Sequence, residues 1–135
     1  MALARRVKKI VASLKSTGAM GLDGIPVNVL KLGIVVLAGT IAKLINTSLS
    51  TCIVPRAFKT ARVTPVFKGK GKNPEDPGSY RPIAILPVLS KVLEVAVKED
   101  LERHLPKVNG LPNSQFGFRK GRSTAAAIAA AHAAW

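Results

Sequence analysis

Two short stretches with the composition of β-strands interrupt a chain that otherwise shows helical periodicity and turns. Residues 61–67 read Ala-Arg-Val-Thr-Pro-Val-Phe, and residues 81–86 form a second extended piece. β-Branched and aromatic residues favour strands, and Pro65 confines its strand to a sheet edge because proline has no N–H to donate. The residues between them, 68–79, are rich in Gly, Lys, Pro and Asn. We therefore predict an α+β fold, mostly helical, with one short β-ribbon whose loop is mobile and basic.

Four segments around this ribbon have the apolar spacing of helices. They cover residues 3–14, about 26–49, 87–105 and 125–134, the last capped by Ser123 or Thr124 and marginal in stability on its own. Pro26 is expected at the first helical position of the second helix, and Pro55 marks its end. The most hydrophobic run, residues 32–42, has 11 residues, well short of the roughly 20 that a membrane helix requires. We interpret it as a buried helix.

The charge of the chain is strongly one-sided. Lys and Arg total 21 against 7 acids, a formal net charge of +14. Such an excess favours a polyanionic partner, of which nucleic acid is the leading candidate. An anionic membrane surface is the alternative, but aromatic residues make up only 4% and do not cluster on a helix. We expect no membrane partner.

One segment concentrates the positive charge. Residues 56–72 hold six basic residues and no acid. A solvated surface loop is the alternative explanation for this run. If all six contacted phosphates of a single strand, the log–log salt dependence of binding would have a slope near −4, from about −0.7 per contact.

Cysteine and histidine give no sign of a structural metal or of secretion. Cys52 is the single cysteine, and His104 and His132 lie far from it and from each other. Basic residues at positions 5, 6, 8 and 9 interrupt any apolar core that a secretory signal would need. We predict an intracellular protein, nuclear or cytoplasmic, that is not secreted.

Several motifs follow one another in a recognisable order. They are Gly21-Leu22-Asp23-Gly24-Ile25-Pro26, Lys68, Tyr80-Arg81-Pro82-Ile83 and Gln115-Phe116-Gly117-Phe118-Arg119. From about residue 16 to 128 the chain resembles the fingers region of reverse transcriptases from non-LTR (LINE-like) retrotransposons. The resemblance implies a partial reverse transcriptase domain at 16–135, with palm and thumb absent, and residues 1–15 are predicted to form a separate N-terminal basic helix by their apolar spacing and charge.

The resemblance also implies roles for individual residues. Lys68 and Arg81 would reach the triphosphate of the incoming nucleotide, although Lys70 and Lys72 in the same loop are alternatives to Lys68. Arg suits phosphate because of its planar fork of donors, and Lys offers a point charge. Tyr80 and Pro82 would frame Arg81. The residues predicted to contact nucleic acid are Arg62, Lys70, Lys72, Gln115, Gly117, Arg119, Lys120 and Arg122.

The Gln115–Arg119 block has two readings that are compatible. In the first, Phe116 and Phe118 anchor the loop in the core, and in the second the segment contacts nucleic acid. Since alternate residues of an extended piece face opposite ways, Gln115, Gly117 and Arg119 would then face nucleic acid.

The acidic residues are not arranged for catalysis. Asp23 is expected to cap the helix that follows it, and no two carboxylates lie in a strand or turn that would hold two Mg²⁺ ions. In the family the metal-binding aspartates come later in the sequence. We therefore predict no catalytic residue, no metal ligand and no cofactor in this chain, with Mg²⁺ needed only by the complete enzyme.

We hypothesise that the chain is a fragment of an RNA-directed DNA polymerase, which is a nucleotidyltransferase, from a transposable element. We expect the fragment to be inactive alone. In the intact enzyme its partners would be an RNA or DNA template-primer and dNTP. The alternatives are a non-enzymatic basic nucleic-acid-binding protein, or an inactive relic whose strands are left with open edges.

Overall fold

The computed structural model describes residues 2–134, and side chains from Leu3 onward. It contains four α-helices and a two-stranded antiparallel sheet within those residues: α1 (Ala2–Ser13), α2 (Val27–Thr51), β1 (Arg62–Phe67), β2 (Tyr80–Ile85), α3 (Val88–His104) and α4 (Thr124–Ala133). The mixed, mostly helical fold with one ribbon is confirmed. The chain divides into two compact units, one ending at Val97 and the other beginning at Lys98.

The helix bounds agree with the periodicity to within a few residues. Three short 3₁₀ turns, Arg56–Lys59, Pro77–Ser79 and Leu105–Val108, were not predicted. Helix α2 runs two residues beyond its predicted end at about residue 49. The helix stops at Thr51 because Cys52 adopts a left-handed conformation (φ 56°), and the Ser48 hydroxyl donates to the Ile53 carbonyl at 2.8 Å.

The core of the first unit lies among α1, α2 and the start of α3. Val7, Ile10 and Val11 of α1 are at most 1% exposed. They belong to one apolar cluster with residues from α2, the turn after it and α3: Val27, Leu30, Ile41, Ala42, Ile45, Phe58, Val88, Val92, Leu93 and Ala96. Arg6 ties α1 to α3, donating from Nη2 to the Ala96 carbonyl at 2.6 Å. The ribbon contributes no residue to this cluster.

The prediction that residues 32–42 form a buried helix is half wrong. The run is helical, but only Ala38, Ile41 and Ala42 within it are buried. Leu32 and Val36 are each 84% exposed and Val35 is 73% exposed. The core covers a single stripe of α2, made of residues three or four positions apart, and the residues between them face away from the core.

By length and composition alone, α2 is also apolar enough to cross a membrane, with a mean hydropathy of 1.8 over its best window. Core helices of globular proteins and signal sequences meet the same criterion. Of that window 28% is buried, along the stripe that faces the core.

The second unit has no buried residue among 98–134. Its ordered contacts are local. Lys98 pairs with Glu102 at 3.6 Å, and Arg103 pairs with Asp100 at 3.3 Å. Ser123 caps α4 by accepting from the Ala126 N–H at 3.1 Å, which confirms the predicted cap. A helix of ten residues without a buried face is marginal in water.

Candidate nucleic-acid and nucleotide interface

The register of the ribbon fixes which of its side chains share a face. Val66 lies opposite Arg81 and Pro65 opposite Pro82. Beyond the strand end the Lys68 N–H donates to the Ser79 carbonyl at 2.9 Å, so the pairing continues by one residue. Since residues directly opposite point to the same face, Lys68 and Arg81 are diagonal neighbours on one face, with a typical separation of about 7–8 Å.

The same register accounts for a proline in the middle of each strand. Pairs in an antiparallel ladder alternate between hydrogen-bonded and non-hydrogen-bonded. Because Lys68 donates to Ser79, the Pro65 and Pro82 pair falls on a non-hydrogen-bonded position. At such positions the backbone nitrogens point outward, so neither proline costs a ladder bond. Each outer edge of the ribbon instead lacks one donor at its centre, which disfavours the addition of a further strand.

We call one face of the ribbon the basic face. It carries all three cations of the ribbon and its immediate extension, and consists of Arg62, Thr64, Val66, Lys68, Ser79, Arg81, Ile83 and Ile85. Six of these residues are exposed, whereas Ile85 is half-buried and Ser79 is buried. The basic face therefore offers positive charge to solvent along both strands.

Lys68 and Arg81 differ in how firmly they are held. The Lys68 ammonium donates to the Gly78 carbonyl at 2.6 Å, which ties it across the loop that joins the strands. This contact distinguishes Lys68 from the other lysines of its loop, Lys70 and Lys72, which make no such bond within residues 2–134. The Arg81 guanidinium likewise has no hydrogen bond or ion pair in that range. Its full set of donors is available to a ligand.

The opposite face organises the loop. The Phe67 and Tyr80 rings pack with centroids 5.4 Å apart, and the Tyr80 hydroxyl donates to the Pro74 carbonyl at 2.9 Å. Asp76 accepts from the Gly78 N–H at 2.9 Å. The second half of the loop is thus held by specific contacts, while the first half carries Lys70 between two glycines with positive φ, 98° at Gly69 and 79° at Gly71.

The six cations between residues 56 and 72 are all exposed. Arg56 and Lys59 lie on the 3₁₀ turn that precedes β1. Arg62 and Lys68 lie on the basic face, and Lys70 and Lys72 lie on the loop. The segment is therefore a continuous stretch of chain with solvent-facing positive charge.

The motif at residues 21–26 does not act as predicted. Asp23 was expected to cap the following helix, α2, but the N-cap residue of α2 is Pro26, without a side-chain bond. Asp23 Oδ1 accepts from the Ile25 N–H at 3.3 Å, and Oδ2 accepts from the Val88 N–H at 3.3 Å. The carboxylate caps α3, which lies 65 residues further along the chain. The residues before α3, Ile85-Leu86-Pro87, have no side chain that could accept a hydrogen bond as an N-cap. The absence of a local cap could have indicated that a residue elsewhere in the chain caps α3.

Gly21 also contributes to the contact between residues 21–26 and the segment before α3. A Cβ at this position would lie 2.7 Å from the Pro87 nitrogen and 2.8 Å from the Leu86 carbonyl carbon. Only glycine permits this approach of one backbone to another. Gly21 and Asp23 thus grip the segment that links β2 to α3, at the base of the ribbon.

The segment from Gln115 to Arg122 is a series of turns, and the alternation predicted for it is wrong. Phe118 has φ 57° and is fully exposed, so it does not anchor the loop in a core. Phe116 is half-buried, with the Arg122 guanidinium 5.0 Å from its ring centroid. Gln115 and Arg119 point back into the segment: Gln115 Nε2 donates to the Gly117 carbonyl at 3.4 Å and Arg119 Nη1 to the Pro112 carbonyl at 2.9 Å.

Phe118 is the feature of this segment that sequence reasoning missed. A bulky residue in the left-handed region is strained, and at Phe118 the ring is also fully exposed. Its neighbours Lys120 and Arg122 are exposed cations. An exposed ring beside cations is suited to base stacking next to phosphate contacts.

Within residues 2–134, no three His, Cys, Asp or Glu side chains cluster as a metal site would require. Cys52 is a free, exposed thiol at the end of α2. The chemistry that the described residues offer is therefore positive charge, backbone donors and exposed aromatic surface.

Comparison with known proteins agrees with this chemistry. Residues 68–135 match the family model for reverse transcriptase (RNA-dependent DNA polymerase). The chain is 37% identical over 116 residues to a 115 kDa protein in the type-1 retrotransposable element R1DM of Drosophila melanogaster, covering 86% of this chain and 11% of the relative. It is 31% identical over 118 residues to the RNA-directed DNA polymerase from the mobile element jockey of the same species, covering 87% of this chain and 13% of the relative.

The chain belongs to the reverse transcriptase family. Its relatives come from retrotransposons of the non-LTR type, as the order of motifs predicted. It spans between 11% and 13% of the length of the two relatives described above.

Proposed function

We propose that this chain is the fingers portion of an RNA-directed DNA polymerase of a transposable element. Within it, the basic face binds the triphosphate of the incoming nucleotide. The adjoining cations of the loop, Lys70 and Lys72, bind the phosphate backbone of the template. Such contacts to the backbone are independent of base sequence.

The observation that carries this proposal is the shared face of Lys68 and Arg81. Phosphoryl transfer requires positive charge on the leaving polyphosphate. A tethered ammonium and an unengaged guanidinium, on diagonal positions of one ribbon face, supply a point charge and a planar fork within the span of one triphosphate. Neither Lys68 nor Arg81 would have to break an ion pair within residues 2–134 in order to bind a phosphate.

The segment around Phe118 supports a contact to single-stranded nucleic acid. Stacking on an exposed ring is tolerant of base identity, and Lys120 and Arg122 would bind neighbouring phosphates. Gln115 and Arg119 contact nucleic acid in this proposal only if their side chains give up their present hydrogen bonds to the Gly117 and Pro112 carbonyls and bond to the ligand instead. Gly117 has open space around its Cα, which leaves room for a close strand.

The proposed contribution is binding alone. Glu102 and Asp100 pair with cations on α3, and Asp23 and Asp76 accept hydrogen bonds from backbone N–H groups. We expect no templated primer extension by the chain in the presence of Mg²⁺ and dNTPs. Extension by the purified chain would contradict this part of the proposal.

The test is calorimetric titration of the chain with dATP, for wild type, Arg81→Gln and Arg56→Gln. Each substitution removes one exposed guanidinium, but Arg56 lies outside the ribbon. A charge-assisted contact is worth about 1.5–3 kcal/mol, so Arg81→Gln is expected to weaken binding about tenfold or more. Arg56→Gln is expected to change it less than about threefold. Equal effects of the two variants, or no binding by wild type, would contradict the proposal.

The exposure of all six cations between residues 56 and 72 favours a second candidate, a non-enzymatic nucleic-acid-binding module. Such a module would lose affinity for RNA steeply with salt, and Arg81→Gln would weaken RNA binding no more than Arg56→Gln. The inactive relic has less support. Its strands were expected to have open edges, whereas each outer edge of the ribbon carries a proline.

A further inference from the structure

A second cationic surface lies on α1. Arg5, Lys8 and Lys9 are exposed and occupy positions i, i+3 and i+4, which places them on one side of the helix. We call these three residues the α1 stripe. They lie opposite the buried residues Val7, Ile10 and Val11. The α1 stripe therefore takes no part in the packing of the first unit.

The charge of the α1 stripe is uncompensated. The first acid in the sequence is Asp23, and its carboxylate already accepts two backbone N–H groups. Within residues 2–134, none of the three stripe residues has an ion pair. The contrast with α3 is direct, because there Lys98 and Arg103 pair with acids on their own helix. Of the 21 cations in the chain, 13 lie in the first 74 residues, together with one of the 7 acids.

The arrangement works against the helix that carries it. Like charges at i,i+4 destabilise a helix, and cations are unfavourable towards its positive N-terminal end. Helix α1 has no acid in its first turn and no cation in its last turn, the reverse of the favourable distribution. A stripe with these costs and no packing role is explained most simply by a ligand of opposite charge.

We infer that the α1 stripe binds the phosphate backbone of a nucleic-acid strand, at a contact separate from the ribbon. A membrane surface is the less suitable polyanion. A helix that binds membranes inserts its apolar face, but that face of α1 is at most 1% exposed at Val7, Ile10 and Val11. A strand of phosphates needs charge alone. The rise of about 6 Å from Arg5 to Lys9 allows the two cations to meet neighbouring phosphates.

The experiment compares two triple variants that remove the same charge. The stripe variant is Arg5→Gln with Lys8→Gln and Lys9→Gln. The control is Lys98→Gln with Arg103→Gln and Lys107→Gln, three exposed cations in a region where acids already balance the charge. Binding of a fluorescein-labelled uridine 20-mer is measured by anisotropy across a salt series, together with urea unfolding of each protein.

The stripe variant is expected to reduce the log–log salt slope by about 2, from three contacts at about 0.7 each. Between 50 and 200 mM salt, wild type would then lose about 20-fold more affinity than the variant loses. The stripe variant should unfold at the same or higher urea concentration, because repulsion within α1 is relieved. The control should keep the wild-type slope and unfold slightly earlier, because its ion pairs are lost.

A loss of RNA affinity alongside retained stability is an outcome that a purely structural role for these residues would not produce. Equal slopes for the two triple variants would overturn the inference. So would a stripe variant that binds RNA as wild type does but loses binding to vesicles containing phosphatidylserine. Neither result depends on nucleotide binding at the ribbon, which Arg81→Gln tests separately with dATP.

Discussion

The helical body of the first unit and the ribbon that follows it use their residues in opposite ways. In the body, α1, α2 and α3 bury one stripe each around a shared apolar cluster. In the ribbon, every residue of β1 is exposed, and β2 is exposed except at its two ends. The body is therefore held by burial, whereas the ribbon is held by its ladder, its loop contacts and the grip of Gly21 and Asp23 at its base.

The difference separates stability from binding. A ribbon that buries little can vary its side chains at small cost to folding, and its exposed charges remain available for ligands. The free energy that stabilises the fold comes mainly from apolar burial in the helical body. Substitutions in the two regions should accordingly change different measurable quantities.

The largest expected effect is on the free energy of unfolding of the body. Ile10 is 1% exposed in the core, and Ile83 is 43% exposed on the basic face. Ile10→Ala should lower the free energy of unfolding by about 2–5 kcal/mol, because it removes buried methylenes and leaves a cavity. Ile83→Ala should change it by about 0.5 kcal/mol or less. Urea denaturation followed by circular dichroism measures both, and similar losses for the two variants would show that the body and the ribbon do not differ in how they are stabilised.

The next effect concerns the joint between the two regions. Gly21→Ala places a Cβ within 2.8 Å of the Leu86–Pro87 backbone, which must shift to admit it. Overpacking of this kind costs about 1–3 kcal/mol. Gly18→Ala is the matched control, since a Cβ there meets nothing within 4 Å. If both variants unfold at the wild-type urea concentration, the grip on the base of the ribbon does not exist.

At the ribbon edges we expect the smallest change in the free energy of unfolding but a measurable increase in self-association. Pro65→Val combined with Pro82→Val restores one N–H donor to each outer edge without removing a ladder bond. The edges then become templates for pairing, so the double variant should self-associate more than wild type in sedimentation velocity. Pro112→Val, in the exposed loop before α4, should leave association unchanged. A double variant that sediments as wild type does would show that the prolines do not protect the edges.

Local pattern was enough to predict most of the fold. The apolar spacing that produces α1 and α3 is intrinsic to each segment, and the strand composition around Pro65 and the turn-rich loop after it specify a hairpin. The exposure of Leu32 and Val36 was not predictable in this way. Hydrophobicity says that a residue favours burial, but whether a neighbour covers it depends on how many elements pack against that helix.

The candidate site was predictable to the same degree. Lys68 and Arg81 were identified by resemblance, and the strand pattern placed both near the ribbon, but their shared face depends on a register that only coordinates give. The role of Asp23 was missed because its partner, the Val88 N–H, lies 65 residues away. Phe118 was missed because strict alternation was assumed, whereas its left-handed backbone breaks the alternation.

In the proposed function, Lys68 and Arg81 act together on one polyphosphate. A double-mutant cycle tests it directly, with dATP affinity measured for wild type, Lys68→Gln, Arg81→Gln and the double variant. Two groups on one ligand should be coupled, so the double variant should differ from the sum of the single effects by about 0.5 kcal/mol or more. Effects that add within error, or a Lys68→Gln variant that binds dATP as wild type does, would contradict joint binding of the polyphosphate by Lys68 and Arg81.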